Sequence, residues 1–421
     1  MNKTKAEILT IGDEILYGQL LDTNSQWMSA ELDKIGIKTI RKTTVGDTRE
    51  DILTAFKEAE ARVDIVLITG GLGPTNDDLT KPCLAEYFGC EIAMNEAALQ
   101  EVSNFFASKG LELTEVNRLQ AALPVCCDMV SNKLGTAPGM WFERNGKVFV
   151  SMPGVPHEMK KMMTDTVIPQ LQQVFQTDII FHKIIKTIGI GESWLAEMIK
   201  DWEDSLPEHI KLAYLPSMGQ VKLRLTAIGD NLDKLKVEVE SLIQDLHKLA
   251  GKYIYGYDTD QIEEVVGKML LDQHKTIALA ESCTGGYVSH KITSIAGSSQ
   301  YYQGSVIPYH NSLKIDILGV NEQTLLDHGA VSEQTVYEMA NLVRKRFNAD
   351  IGVATSGIAG PGGGTPDKPV GTVWIAYADG EQTITRKLQL WKDRDINIQA
   401  TAVALLNLIR ISLSKSIEIK Q

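Results

Sequence analysis

The chain has 421 residues, 43% of them apolar and 23% charged, ordinary proportions for globular protein and more chain than one domain usually holds. Its 42 basic and 54 acidic side chains leave a net charge of −12, which argues against bulk binding to nucleic acid. No apolar run nears the roughly 20 residues of a membrane span, residues 1–12 read as a first strand and not a signal peptide, and five cysteines without a C-x-x-C pair fit a reduced cytoplasm, with neither a disulfide framework nor a zinc site.

Glu7–Ile11 reads as a strand and Gly12-Asp13-Glu14 as a turn. Asn24 or Ser25 can cap a helix whose apolar face is Met28, Leu32 and Ile35. A strand near Ile37–Val45 follows, then a helix capped by Thr48 with Ile52, Leu53 and Phe56 inward. Asp64-Ile65-Val66-Leu67-Ile68 is apolar on both faces, as in a buried parallel strand. Alternating strands and helices predict a doubly wound α/β domain over residues 1–176.

That buried strand empties into a loop, Thr69 to Thr80, which carries Gly70, Gly71, Gly73, Asp77 and Asp78. The glycines let the backbone wrap a phosphate, and the paired carboxylates suit a divalent ion. The plainer alternative is a turn with an aspartate cap before Pro82. Leu99, Val102, Phe105 and Phe106 form a core stripe, and Trp141–Val150 is a hairpin turned at Asn145-Gly146. His157 lacks the second histidine of a zinc helix.

The texture changes near Phe181. Strands at Ile184–Ile188, Lys211–Leu215, Val221–Ala227 and Tyr253–Tyr255, with helices at Ser193–Trp202 and Leu232–Ala250, predict a small α+β domain over residues 177–256. Gly189-Ile190-Gly191-Glu192-Ser193 reads as a capped turn, with contact to a ligand phosphate as the alternative. Gly256–Asp260 reads as a linker to an α/β domain over residues 257–421, which opens on a helix at Gln261–Gln273.

In that last domain the strand Thr276–Ala280 runs into Glu281-Ser282-Cys283-Thr284-Gly285-Gly286 and then a helix at Tyr287–Ile292. A hydroxyl on a glycine turn at a helix start lies beside unpaired N–H groups, so Ser282 is a candidate nucleophile and the amides of Thr284, Gly285 and Gly286 a candidate oxyanion cradle. A helix cap is the competing reading. With no histidine in an obvious catalytic pattern, the base falls to a lysine of lowered pKa. Lys314 follows the strand Tyr302–Ile307, and a third loop, Thr355 to Gly364 with Ser356 and Gly357, follows the strand Ile351–Ala354. Three strand-end loops on one sheet edge would make a site. Cys283 is the rival nucleophile. Ser332 caps a helix through Phe347, Gly371–Ala376 and Gln382–Leu390 pair as strands, and Asp393–Leu413 closes the chain as a long helix.

Ala280 to Gly286, Gly357-Ile358-Ala359-Gly360-Pro361 and Pro369-Val370-Gly371-Thr372-Val373 resemble the C-terminal domain of the CinA family (competence/damage-inducible protein A). The resemblance implies a nicotinamide mononucleotide deamidase without cofactor, with Ser282 as nucleophile, Lys314 as base, and Tyr309, Ser356 and Arg394 assisting or binding substrate. Ser356 stands where the family more often has threonine. Thr10 to Glu14, Asp22-Thr23-Asn24, the Thr69–Thr80 loop and Pro153 to Met159 resemble the family's N-terminal domain, similar to molybdopterin-binding folds and associated with metal-dependent ADP-ribose pyrophosphatase activity. Asp13, Asp77, Asp78 and Glu158 carry over as candidate metal ligands, and Asn24 as a substrate-binding residue. The resemblance implies a homodimer. The other class of function is a non-catalytic pterin- or nucleotide-binding module acting in DNA uptake or repair, for which the chain offers no basic stripe.

Overall fold

The structure, a computed structural model, describes residues 4–418 apart from 76, 77, 176 and 218, with side chains described as far as Ser414. By its contacts the chain forms two compact units, one of Met1–His182 with Ala227–Lys236 and one of Lys183–Thr226 with Val237–Gln421.

The first unit holds β1 (Lys5–Ile11), β2 (Lys38–Val45), β3 (Ile65–Thr69), β4 (Ile92–Met94), β5 (Ala122–Pro124), β6 (Asp128–Val130), β7 (Gly139–Arg144) and β8 (Lys147–Met152). Its main sheet runs β2-β1-β3-β8-β7-β6. β1 lies parallel to β2 and β3, and β3 to β8, while β7 and β6 are antiparallel additions. Alternation along the strands divides the core in two. Leu9, Ile11, Val66 and Ile68 pack with Ile52 and Phe56 of the helix Arg49–Arg62, and Ala6, Ile8, Ile65 and Leu67 pack with Met28 and Leu32 of the helix Thr23–Lys34. Burial on both faces is what the continuous apolar runs require. Thr48 caps its helix as expected, but the cap of the earlier one is Asp22, which accepts from Ser25 N–H at 2.9 Å. Asn24 and Ser25 fall inside the helix, and Asp13 begins a short helix of its own, Asp13–Leu16.

β4 and β5 form a separate two-stranded ribbon, antiparallel with Ile92 opposite Pro124. Just beyond the ribbon, Val125 N–H reaches Glu91 O, and Cys90 is joined to Cys126 by a disulfide. This corrects the expectation of unpaired thiols throughout. The ribbon register, not the spacing of the cysteines, brings the two together.

In the middle stretch, β9 (Ile179–Ile188), β10 (Ile210–Ser217), β11 (Gln220–Gly229) and β12 (Ile254–Tyr257) form a sheet of order β10-β11-β9-β12, with helices Glu192–Asp204 and Leu232–Ala250. Gly256 and Tyr257 belong to β12, paired with Lys186 and Ile185, so the first two residues of the expected linker are strand. Asp258 and Asp260 fasten the remainder, taking Lys183 Nζ at 2.7 Å and, through the Asp260 carbonyl, Lys186 Nζ at 2.6 Å.

The last sheet comprises β13 (Ile277–Glu281), β14 (Tyr302–Val306), β15 (Ile351–Gly357), β16 (Thr372–Ala378) and β17 (Thr383–Gln389), in the order β14-β13-β15-β16-β17. β13 is parallel to both neighbours, and the last two strands are antiparallel. Ile277 and Leu279 face the helices Ile262–Asp272 and Arg394–Glu418, while Ala278 and Ala280 face the helix Glu333–Arg346. The closing helix is long and apolar enough to cross a membrane by length and composition, but 67% of its apolar window is buried in the protein. Leu405, Leu406, Leu408 and Ile409 sit in the core with Ile188 and Tyr255 of the middle module.

Candidate functional sites at two sheet edges

β13 and β15 end side by side, and the chain leaving each of them turns over the same edge. Ser282 N–H donates to Thr355 O at 3.0 Å, which fixes the start of the turn after β13. Lys314 arrives from the segment after β14. Its side chain is 1% exposed, and Nζ lies 3.2 Å from Ser282 Oγ, 2.8 Å from Pro308 O and 3.3 Å from Tyr309 O. Burial pushes the Lys314 pKa below the ordinary lysine value, with the neighbouring Cys283 working weakly the other way. Nζ donates to all three oxygens, and loss of one proton would leave two N–H groups for the carbonyls and a lone pair for the serine hydroxyl. Cys283 itself is buried, its thiol pushed up to about 12 chiefly by desolvation, so it holds its proton at neutral pH.

The amides behave differently from the sequence expectation. Gly286, at φ +98°, takes a left-handed conformation that turns the chain into the helix Tyr287–Thr293. The N-terminus of that helix is filled by the chain's own carboxylate. Glu281, fully buried, accepts from Gly286 N at 3.1 Å, Val288 N at 3.0 Å, Ser289 N at 2.8 Å, Ser289 Oγ at 2.5 Å and Thr284 Oγ1 at 2.7 Å. Gly285 N–H goes to Ser282 O. Of the three amides expected to form the oxyanion cradle, only that of Thr284 is not engaged by another group among the described residues. Sequence reasoning gave Glu281 no role, and nothing in its spacing shows that the side chain folds back under the turn it precedes.

Thr284, Gly285 and Gly286 do line a cavity of about 420 Å³, closed on its other side by Tyr287, His290 and the first turns of the closing helix at Asp395, Ile398 and Gln399. Arg394 opens that helix. Its Nη1 donates to Gly360 O at 2.7 Å and its Nη2 to Tyr309 Oη at 2.8 Å, which joins the segment before Lys314 to the loop after β15. Ser356 is buried and gives its hydroxyl to Ala330 O at 2.6 Å. The hydroxyl in contact with the nucleophile turn is its neighbour's: Thr355 Oγ1 lies 2.8 Å from Thr284 Oγ1. Gly357 ends β15 opposite Val373, where a Cβ would stand 2.6 Å from that side chain.

The second edge lies in the first unit, at the ends of β1, β3 and β8. A cavity of about 760 Å³ there is lined by Asn24, Gly70, Gly71, Gly73, Asp78 and Glu158 among others. Gly70, at φ +108°, lies so close to β1 that a Cβ would meet Ile11 O at 2.1 Å. Asn24 Nδ2 donates to Gly154 O at 2.8 Å and to Thr69 Oγ1 at 3.1 Å, while its buried Oδ1 has no partner. Gln120 is in the same state: it lines the cavity, and its Oε1 is buried and unpartnered. Its carbonyl takes Lys81 Nζ at 2.9 Å, a lysine lowered to about 8 by burial. Both residues line the cavity while these oxygens are buried behind its wall.

The expected metal ligands are less well gathered. Asp78 Oδ2 accepts from Thr75 N at 2.9 Å and Thr75 Oγ1 at 2.5 Å, and Glu158 Oε2 from Asn132 Nδ2 at 2.7 Å. Asp13 does not line the cavity; its carboxylate accepts from Tyr17 Oη at 3.0 Å. Glu14, Asp22 and Asp47 line it instead. Among the described residues no three His, Cys, Asp or Glu side chains come together to hold a metal ion, and Asp77, one of the implied ligands, lies outside those residues.

Three family models match the chain: "Probable molybdopterin binding domain" over residues 7–173, "Damage-inducible protein CinA KH domain" over 182–256 and "CinA C-terminal domain" over 259–413. A CinA-like protein of Cytophaga hutchinsonii is 54% identical, covering 97% of this chain and 98% of that protein. A CinA-like protein of Amoebophilus asiaticus is 44% identical over 97% of this chain and 99% of that one. A crystal structure titled as the protein CinA with unknown function from Thermoplasma acidophilum is 31% identical, covers 42% of this chain and all of its own, and has a TM-score of 0.38. With relatives of this identity along nearly its whole length, the chain belongs to the CinA family.

Proposed function

We propose that the last domain is a Ser/Lys amidohydrolase that converts nicotinamide mononucleotide to nicotinic acid mononucleotide and ammonia. The observation that carries this reading is the buried Lys314 amine 3.2 Å from Ser282 Oγ, with its other contacts made to carbonyls. Neutral Lys314 takes the Ser282 proton as Oγ attacks the carboxamide carbon. The resulting oxyanion is met by the Thr284 amide. The C–N bond breaks, Lys314 returns its proton to the leaving nitrogen, and ammonia departs from a Ser282 ester. Water, deprotonated by Lys314, opens that ester to the carboxylate and restores the serine. Arg394, with N–H groups to spare beyond Gly360 and Tyr309, is the group suited to the substrate phosphate. The test is ammonia release from the mononucleotide and from its riboside. Faster turnover of the mononucleotide supports the reading, and no release from either overturns it.

For the first domain we propose a nucleotide site, with ADP-ribose as the substrate that the family resemblance implies. The support is the glycine loop at the strand ends, where Gly70, Gly71 and Gly73 line a cavity of about 760 Å³. Asp78 and Glu158, which line the cavity, and Asp77 are the residues that would hold the divalent ion implied for this activity, and the ion would polarise the pyrophosphate. Cleavage of ADP-ribose with and without added Mg²⁺ tests this part. The second class of function, a role in DNA uptake or repair, draws no support from a chain of net charge −12.

A further inference from the structure

The glycine turn Gly189-Ile190-Gly191 leads into the helix Glu192–Asp204. It forms one wall of a cavity of about 870 Å³ whose other walls include Trp194, Met198, Tyr253 and Trp391. That volume lies within the range of small-molecule sites, about 300–1,000 Å³. Trp194 is 70% exposed and Trp391 51% exposed, a large display of indole surface for a protein to leave in water. The charged groups in the lining are of one sign: Glu192 and Glu197, and among the described residues no lysine, arginine or histidine. Neither carboxylate makes a hydrogen bond or ion pair among the described residues, although Glu192 stands close enough to help raise the Tyr214 hydroxyl pKa. The helix Glu192–Asp204 starts with an acid, and Gly191 caps it without a side-chain bond.

Aromatic faces with a carboxylate rim select cations, since indole and phenol rings attract positive charge to their faces and carboxylates supply the long-range pull. Lys252 Nζ stands over Tyr253 at 4.8 Å from the ring centre, so that ring already has a cation and the exposed indoles of Trp194 and Trp391 are the faces left for a ligand. We infer that this cavity is a binding site for a small organic cation, a quaternary ammonium or N-alkylated heteroaromatic ring, held against Trp194 and Trp391 with Glu192 and Glu197 at its edge. A nucleic-acid strand, the partner that a glycine loop of this kind would suggest, is opposed by the two carboxylates and the absence of basic groups in the lining.

The full chain is titrated calorimetrically with benzyltrimethylammonium and with benzyl alcohol as the neutral counterpart, while tryptophan emission is followed. Saturable binding of the cation is expected, about tenfold or more tighter than the alcohol. Trp194→Ala, and Glu192→Gln combined with Glu197→Gln, are each expected to weaken it about tenfold. All three positions are exposed, so circular dichroism should show unchanged folding. The inference is overturned by absence of saturable binding, by equal affinity for the neutral compound, by a Trp194→Ala titration that matches wild type, or by displacement of the cation by a single-stranded oligoribonucleotide. The readout is binding and not turnover at Ser282, so its failure is distinct from a failure of the deamidase reading.

Discussion

Lys314 is fully buried and its ammonium form is disfavoured by that burial. The sign follows directly. A base whose folded pKa lies below its unfolded value costs stability at low pH, where the unfolded chain holds the proton, and the cost fades as pH rises toward the ordinary 10.5. Activity moves in the same direction, because only the neutral amine accepts the serine proton. kcat/KM for deamidation is expected to rise with pH along a single limb with its midpoint below 10.5, and the limb should vanish from the residual rate of Lys314→Ala. A flat profile from pH 6 to 10 would count against lysine as the base. Arg394 is the other residue whose contacts make a kinetic statement. Arg394→Ala is expected to raise KM for the mononucleotide by about tenfold or more and to change the riboside little, the signature of a lost phosphate contact.

The turn after β13 depends on a carboxylate that the sequence gives no reason to single out. Glu281→Ala would leave the amides of Gly286, Val288 and Ser289 without the acceptor they share. Each buried, unpaired donor costs about 1–3 kcal/mol, so a loss of several kcal/mol and a clearly lower Tm are expected. Glu281→Gln keeps the shape and one acceptor oxygen and should lose less. Equal stability of wild type and Glu281→Ala would show that the turn is held by other contacts. The strand–turn–helix frame around this loop was legible because β13 is a continuous apolar run, which demands burial on both faces, and because Gly285 and Gly286 permit the sharp entry to the helix. The use of the helix start by Glu281 was not, since a long side chain reaching back over its own turn leaves no periodicity. The same limit explains Asp13, which the motif placed at the first cavity and a local bond to Tyr17 turns away, and Asp22, whose capping role fell to its neighbours in the sequence reading. Cys90 and Cys126 were out of reach for another reason: the ribbon that joins them is only three residues per strand. Closing the loop between them, a separation of 36 residues, contributes up to about 4 kcal/mol. Cys90→Ala with Cys126→Ala is accordingly expected to lower Tm under oxidising conditions and to match wild type in dithiothreitol.

At the scale of the whole chain, the three-part division was readable from changes of texture, but the seam before the last domain was not. Arg410, buried in the closing helix, donates to Lys252 O at 2.9 Å and Ile254 O at 3.2 Å, and Ile188 and Tyr255 complete the same core. A fragment from Lys183 to Gln421 should therefore fold and deamidate like the full chain. One from Tyr257 to Gln421 loses these partners and is expected to melt at a lower temperature. Asp78→Asn, confined to the first unit, should leave deamidation unchanged. The dimer implied by the family resemblance is part of the proposal and is checked by light scattering of the full chain. The central claim is that Ser282 and Lys314 form a catalytic pair while Cys283 is a bystander. Ammonia release from nicotinamide mononucleotide by Ser282→Ala, Cys283→Ala and Lys314→Ala tests it most directly. The first and third should fall by about a thousandfold or more, and Cys283→Ala should keep most of the wild-type rate; an active Ser282→Ala beside a dead, folded Cys283→Ala would contradict it.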